Sequence, residues 1–287
     1  MIRLLLEFKL FIERVFTVPF LASFEEALLS NAMLLAAILA PLIVFTIIIH
    51  LLEKTIQKRL AERFGWHSVL WTGWLGTPIH ELSHAVMCVV FRHRIDELSL
   101  FEPDQNSGRL GYVKHSWRKG NWFEELGNFF IGVAPLMGGC VALFALLWIF
   151  YPESLGQPHA LELAMQQPQL LDRVTAVLNQ VLNPANFLTP RFWVFMYLVL
   201  CIGSHMAPSF SDYRGAGRAS VMVLLALLAL LFIASIAIKE PQQVLLSTAE
   251  LLSPLLAVLI ITVVFCSIAT LIVSVAVSYF PQRYRVG

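Results

Sequence analysis

Long apolar runs separated by short polar segments dominate the chain. A helix needs about 20 apolar residues to cross the roughly 30 Å hydrocarbon core of a bilayer. Six runs approach or exceed that length; four contain almost no ionisable residues, and two are interrupted by them. The predicted spans are Asn31–Leu52, Ser68–Phe91, Leu126–Tyr151, Phe192–Met206, Ala219–Ile238 and Pro254–Phe280. This pattern predicts an all-α polytopic membrane protein with about six transmembrane helices.

The polar segments outside these runs predict three further elements. Residues 1–30 mix apolar and charged residues at helical spacing, which indicates an interfacial amphipathic segment. Residues 97–117 predict a short β-hairpin, because two β-favouring stretches flank the turn-forming segment Pro103–Gly108. Apolar residues at intervals of three and four in 168–182 predict an amphipathic helix on the outer membrane surface. The domain boundaries that follow are 1–30 for the interfacial segment, 31–218 for the membrane-embedded core and 219–287 for additional C-terminal helices.

Composition supports a membrane protein and excludes several other classes. Only 14% of the 287 residues are charged, against about 25% in soluble globular domains. The net charge of +1 offers no basic surface for nucleic acid. Four cysteines lie in apolar runs without a CxxC pair, which predicts small core residues rather than disulfides or metal ligands. They are Cys88, Cys140, Cys201 and Cys266.

The distribution of basic residues predicts the orientation of the spans. With the N-terminus inside, most Lys and Arg residues fall in segments on the cytoplasmic side. The segment 53–67 carries four basic residues and opposes this orientation. We therefore expect a multi-pass protein of a prokaryotic cytoplasmic membrane, with both termini and the hairpin on the cytoplasmic side.

One motif in the second span carries chemistry. His80-Glu81-Leu82-Ser83-His84 has the pattern H-E-x-x-H, for which chance predicts on the order of 0.01 matches in a chain of this composition. Residues four apart share a helix face, so both imidazoles can bind one zinc ion while Glu81 serves as general base. Ionisable residues in the middle of a span are costly and are functional by default. The sequence therefore predicts a metalloenzyme centre with one zinc ion.

A catalytic zinc ion takes a third protein ligand in addition to the two histidines. Asp212 is favoured, because it follows the fourth span and Pro208 interrupts the helix before it. The second and fourth spans run in the same direction, so their ends reach the same half of the membrane. His205 is the rival ligand, with Glu250 or Glu240 in a further alternative of the Glu-liganded peptidase type. A metal-binding transporter or scaffold without hydrolysis is the non-enzymatic alternative.

With these features the chain resembles the site-2 protease family of intramembrane zinc metalloproteases over about residues 68–218. The shared features are the His80–His84 motif inside a span, a later span ending near an aspartate, and a hairpin after the zinc-binding helix. The resemblance implies that His80, His84 and Asp212 bind zinc, that Glu81 is the base, and that the hairpin holds an extended substrate. The family often has Asn-Pro-x-Pro and Leu-Asp-Gly around the third ligand, where this chain has Ala207-Pro-Ser-Phe-Ser-Asp212-Tyr-Arg-Gly215.

Several other residues are candidates for supporting roles. Asn128 and His205 are candidates to support a metal ligand or to stabilise the oxyanion of the reaction. Thr77-Pro78 predicts the start of a fresh helix just before His80. His93 and His115 lie in a basic loop, and we expect them to be solvated. The expected partners are a membrane protein or peptide substrate and the lipid bilayer.

Overall fold

The computed structural model describes residues 18–151, 170–209, 212, 216–237 and 241–281. This part of the chain folds mostly into helices with one two-stranded antiparallel sheet, which confirms the predicted combination of helices and a hairpin. The helices are α1 (Val18–Phe64), α2 (Leu70–Val90), α3 (Trp122–Phe150), α4 (Leu170–Val181), α5 (Pro190–Gly203), α6 (Gly217–Ala237) and α7 (Pro241–Ser278). The strands are β1 (Arg94–Ser99) and β2 (Tyr112–Ser116), and short 3-10 helices cover Trp66–Val69 and Pro184–Leu188.

Two segments of the described chain are long and apolar enough to cross a membrane. They are α3 and residues Leu256–Ser278 of α7. Helix α5 and residues Gly217–Leu230 of α6 are also apolar but shorter. The arrangement with six spans stays a prediction.

Helix α1 is longer than the predicted first span. It continues through 53–64, which we expected to be a loop because of its charges. The prediction was wrong because these polar residues pair along the helix: Lys58 Nζ lies 3.9 Å from Glu62 Oε1, four residues on. Gly65, with φ of +81°, ends the helix in the left-handed region that favours glycine. Residues 1–17 of the predicted interfacial segment lie outside the described residues.

The chain divides into two compact units. One comprises 1–40 and 224–251, and the other comprises 41–223 and 252–287. The second unit contains the candidate site and a cluster of buried apolar side chains from α1, α3, α4, α5 and α7. This cluster includes Ile49, Leu143, Val177, Phe195 and Phe265. All four cysteines are buried and unpaired, as the sequence predicts.

Helix α4 confirms the predicted amphipathic helix but not its environment. Val174, Val177 and Val181 recur at intervals of three and four, and all three are buried in the apolar cluster of the second unit. Asp172 on the same helix is exposed. The apolar face of α4 therefore packs against protein, and its location on the outer membrane surface stays a prediction.

The β-hairpin follows α2 directly. β1 pairs with β2 in antiparallel register, with Ile95 opposite His115 and Glu97 opposite Lys114, so Asp96 forms a bulge. The connecting turn is closed by the Asp104 carboxylate, which accepts from the backbone N of Asn106 at 3.0 Å and from Ser107 Oγ at 2.7 Å. The hairpin is thus confirmed, with its first strand beginning at residue 94 instead of 97.

Two glycines allow the helices around the candidate site to approach closely. A Cβ atom at Gly76 in α2 would collide with the carbonyl oxygen of Cys201 in α5. A Cβ atom at Gly132 in α3 would lie 2.9 Å from the carbonyl oxygen of Asp212. Small residues at such crossings permit backbone approach that larger side chains prevent. The backbone after α5 is therefore held against both α2 and α3.

Candidate metal centre

Helix α2 carries the H-E-x-x-H motif within one continuous helix. The predicted fresh start at Thr77-Pro78 is wrong, because α2 begins at Leu70 and includes Pro78 in its interior. Thr72, Gly73 and Gly76 are buried before Pro78, so packing holds this stretch helical although proline removes one backbone hydrogen bond. One turn separates His80 from His84, and their Nε2 atoms lie 3.1 Å apart.

Backbone carbonyls fix the orientation of both imidazoles. His80 Nδ1 lies 2.6 Å from the carbonyl oxygen of His205, and His84 Nδ1 lies 2.7 Å from that of Ile131. A carbonyl oxygen only accepts, so each Nδ1 carries the proton and donates. A ring with that single proton leaves Nε2 available to a metal ion, and the two Nε2 atoms lie 3.1 Å apart.

The carboxylate of Asp212 lies next to the Nε2 atoms of both histidines. One carboxylate oxygen lies 3.4 Å from His84 Nε2, and the other lies 3.6 Å from His80 Nε2. The backbone N of Ser209 donates to Asp212 Oδ2 at 2.6 Å, which orients the carboxylate. His80, His84 and Asp212 are the three ligand-type residues whose donor atoms converge within 4.8 Å in the described part of the chain. This group could hold a metal ion.

The spacing of these groups is compatible with one bound metal ion. Bonds of about 2.0–2.1 Å at the tetrahedral angle of a zinc site place ligand atoms about 3.3 Å apart. The two Nε2 atoms are 3.1 Å apart, and they lie 3.4 and 3.6 Å from the two different oxygens of the Asp212 carboxylate. The predicted juxtaposition of the two histidines with Asp212 is present, and the identity of the metal as zinc is a proposal.

A cavity of about 590 Å³ adjoins the three ligand-type residues. Glu81, which is 8% exposed, lines this cavity together with His80 and His84. The hairpin approaches it closely: a Cβ atom at Gly111 would lie 2.9 Å from Glu81 Cγ. Glu81 thus faces the space in which a substrate at the metal centre would lie, beneath the hairpin.

His205 and Asn128 both line this cavity. His205 contacts a ligand-type residue through its backbone, since its carbonyl accepts from His80, while its own Nε2 has no partner in the described residues. Its imidazole does not belong to the converging group, so the geometry favours Asp212 over His205 as third ligand. Asn128 Nδ2 donates to the carbonyl of Glu125 at 3.3 Å in its own helix. Glu240 and the side chain of Glu250 lie outside the described residues.

A polar face of α1 that the sequence patterns do not predict borders the cavity. His50, Glu53 and Gln57 line it and lie on one helix face by their spacing of three and four. The Gln57 amide donates to Glu53 Oε1 at 3.1 Å and to the carbonyl of Ser204 at 3.3 Å. Ser204 precedes His205, so this contact anchors the end of α5 to α1. Because the predicted first span ends at Leu52, it separates His50 from Glu53 and Gln57, so the sequence does not predict a shared helix face for the three residues.

His93 and His115 are not the solvated loop residues that we expected. His93 is buried, and its Nδ1 lies 2.9 Å from Nδ1 of His115. Trp117 stacks on His93 with a centroid distance of 5.6 Å, and its ring is tilted relative to that of His115 at 5.8 Å. Burial and the neighbouring His93 lower the pKa of His115 to about 4. The pairing depends on the β2 register and on the contact with α3, neither of which local sequence reveals.

Comparisons with models of protein families, with curated protein sequences and with solved structures find no match for this chain.

Proposed function

We propose that the protein is an intramembrane zinc protease of the site-2 protease type, which hydrolyses peptide bonds of membrane-associated or transmembrane substrates. The observation that carries the proposal is the convergence of ligand atoms from His80, His84 and Asp212 beside a cavity lined by Glu81. The resemblance of the motif and its surroundings to that family supports the reaction class.

In the proposed reaction the three ligand-type residues bind the metal ion and Glu81 transfers the proton. A zinc ion bound by His80, His84 and Asp212 would polarise the scissile carbonyl and lower the pKa of an attacking water molecule towards 7. Glu81 takes a proton from that water at its carboxylate and passes it to the leaving amine nitrogen. The carbonyls of His205 and Ile131 keep the two imidazoles in the tautomer that leaves Nε2 available.

The hairpin offers a place for an extended substrate segment. Residues of β2 and its approach, including Gly111 and Val113, line the cavity, whereas no residue of β1 does. The edge of β2 that is not paired with β1 therefore faces the cavity. A substrate strand added to this edge satisfies its backbone hydrogen bonds when it leaves its own helix. The hairpin would thus hold the scissile bond near Glu81.

The membrane topology belongs to the same proposal. We infer six spans with both termini in the cytoplasm, in a prokaryotic cytoplasmic membrane. The two helices long enough to cross a bilayer and the low charge content support a membrane location. Hydrolysis within the membrane then requires the polar cavity that His50, Glu53 and the ligand-type residues border.

Proteolysis by the purified protein tests this function. The protein is reconstituted in lipid vesicles with a mixture of transmembrane peptides of varied sequence, each with a central Asn-Gly pair that weakens the helix. We expect cleavage products by mass spectrometry, their loss after treatment with a zinc chelator, and their return on addition of zinc. Absence of cleavage by a zinc-loaded, folded protein, or cleavage unaffected by chelation, would contradict the proposal.

A further inference from the structure

The pair of buried His93 and half-buried His115 lies outside the metal centre and has no role in the chemistry described above. His93 follows α2, and His115 lies in β2 opposite the bulge at Asp96. His93 Nε2 lies 2.7 Å from the carbonyl oxygen of Glu124 in α3. Its Nδ1 lies 2.9 Å from His115 Nδ1. Both nitrogens of His93 are therefore engaged, one with α3 and one with the hairpin.

These contacts link the protons of the two rings. The Glu124 carbonyl only accepts, so His93 donates from Nε2, and a His93 ring with that one proton has an acceptor at Nδ1. His115 Nδ1 must then be the donor in the 2.9 Å contact. A neutral imidazole carries one N–H, so the Nε2 of His115 has an unshared electron pair. Any group that it contacts must donate a hydrogen bond.

His115 lines the cavity beside the metal centre. Its Nδ1 is engaged by His93, so Nε2 is the ring nitrogen left for an occupant of the cavity. No group in the described part of the chain hydrogen-bonds to this nitrogen, and burial keeps the pKa of His115 at about 4, so the ring is neutral near pH 7. The hairpin thus presents a fixed, uncharged acceptor to an occupant of the cavity.

Two other roles do not fit this arrangement. Stabilisation of an oxyanion needs a donor, and the tautomer set by His93 makes Nε2 an acceptor. A cation site needs a third ligand near the two imidazoles, whereas His80, His84 and Asp212 form the one such group among the described residues. A hydrogen-bond acceptor for the substrate remains, and a peptide strand beside β2 supplies N–H donors.

We propose that His115 is a substrate-binding residue whose Nε2 accepts a hydrogen bond from a backbone N–H of the substrate peptide in the cavity that is not hydrogen-bonded to the β2 backbone. His93 is then a positioning residue, because it acts through the tautomer and orientation of His115. The inference rests on the proposed proteolytic function. It adds a specific contact by which the hairpin recognises an unwound peptide and fixes its register against the metal centre.

Peptide binding to the non-cleaving Glu81→Gln protein tests this contact. The probe is the peptide of the vesicle mixture that the wild-type protein cleaves fastest, together with versions in which one backbone N–H at a time is replaced by an ester oxygen. Each version is titrated against Glu81→Gln, and against Glu81→Gln combined with His115→Phe. The matched control combines Glu81→Gln with His67→Phe, since His67 is exposed and does not line the cavity.

We expect one ester position to weaken binding about 2- to 13-fold in the Glu81→Gln protein, which is the range for a net hydrogen bond of about 0.5–1.5 kcal/mol. In the protein that combines Glu81→Gln with His115→Phe, the same ester should not weaken peptide binding further. In the control that combines Glu81→Gln with His67→Phe, the ester should weaken binding as much as in Glu81→Gln. Esters whose effects are the same with and without His115 would overturn the proposal.

Nitrogen NMR of histidine-labelled protein gives a second measurement that does not require the phenylalanine variant to fold. We expect the His115 Nε2 signal to be that of an unprotonated nitrogen near pH 7 and to shift when the peptide binds. A protonated Nε2, or a signal unmoved by bound peptide, would overturn the role of His115. If the folded, zinc-loaded wild-type protein cleaves none of the peptides, the proposed function itself fails and the His115 contact falls with it. If the wild type cleaves the peptide but the effect of each ester is the same with and without His115→Phe, the His115 contact is refuted and the proposed function is not.

Discussion

Glu81→Gln is expected to abolish proteolysis while the protein keeps its zinc. Glutamine has nearly the shape of glutamate but cannot take a proton from water, and general acid–base catalysis contributes about 10²- to 10⁴-fold to a rate. A fall in kcat of at least about 100-fold follows. The ligand-type atoms of His80, His84 and Asp212 are unaltered by the change, so zinc content is expected to stay at one ion per chain.

The measurement is the initial rate of peptide cleavage in vesicles, with metal content determined on the same samples. Glu62→Gln provides the matched control, because Glu62 pairs with Lys58 along α1 and does not line the cavity. Its cleavage rate should equal that of the wild type. Undiminished proteolysis by Glu81→Gln would defeat the proposed role of Glu81. Loss of zinc together with activity would show that Glu81 acts in metal binding instead.

Asp212→Ala is expected to remove zinc from the protein. Loss of groups that merely orient a ligand costs about 10- to 100-fold in metal affinity, so loss of a ligand should cost at least about 100-fold. His205→Ala should have a smaller effect, because the carbonyl that accepts from His80 is backbone and survives the substitution. Competition titration with a chromophoric zinc chelator measures both affinities.

Asp172→Ala is the matched control, since Asp172 is an exposed aspartate on α4 and should bind zinc as the wild type does. Full zinc affinity in Asp212→Ala with its loss in His205→Ala would assign the third ligand to the His205 imidazole. Loss in Glu250→Ala with retention in Asp212→Ala would instead support the Glu-liganded alternative. Either result would contradict the assignment of Asp212.

The H-E-x-x-H pair could be predicted from the sequence because helix geometry fixes it. Residues four apart lie on one face in any regular helix, so the approach of His80 and His84 does not depend on tertiary structure. Asp212 could be predicted as a ligand from its residue type and because the second and fourth spans run in the same direction. The sequence gives no distance between Asp212 and the two histidines. The position of Asp212 depends on how α2, α3 and α5 cross, and Gly76 and Gly132 permit those crossings.

Local signals failed where packing or pairing overrode them. Pro78 is a helix-start signal, but the preceding stretch of α2 is buried and stays helical through it. The charges in 53–64 are typical of a loop, but Glu53 and Lys58 each find a partner four residues on. The burial of His93 against His115 depends on strand register and on the position of Glu124, which lie beyond local sequence patterns.

X-ray absorption at the zinc edge of the purified wild-type protein tests the central claim most directly. The account predicts one zinc ion per chain, with two imidazole nitrogens at about 2.0–2.1 Å and carboxylate oxygen at about 2.0–2.2 Å. His80, His84 and Asp212 supply these ligands. A protein that binds no zinc when folded, or a spectrum with sulfur at about 2.3 Å or with a single imidazole, would contradict it.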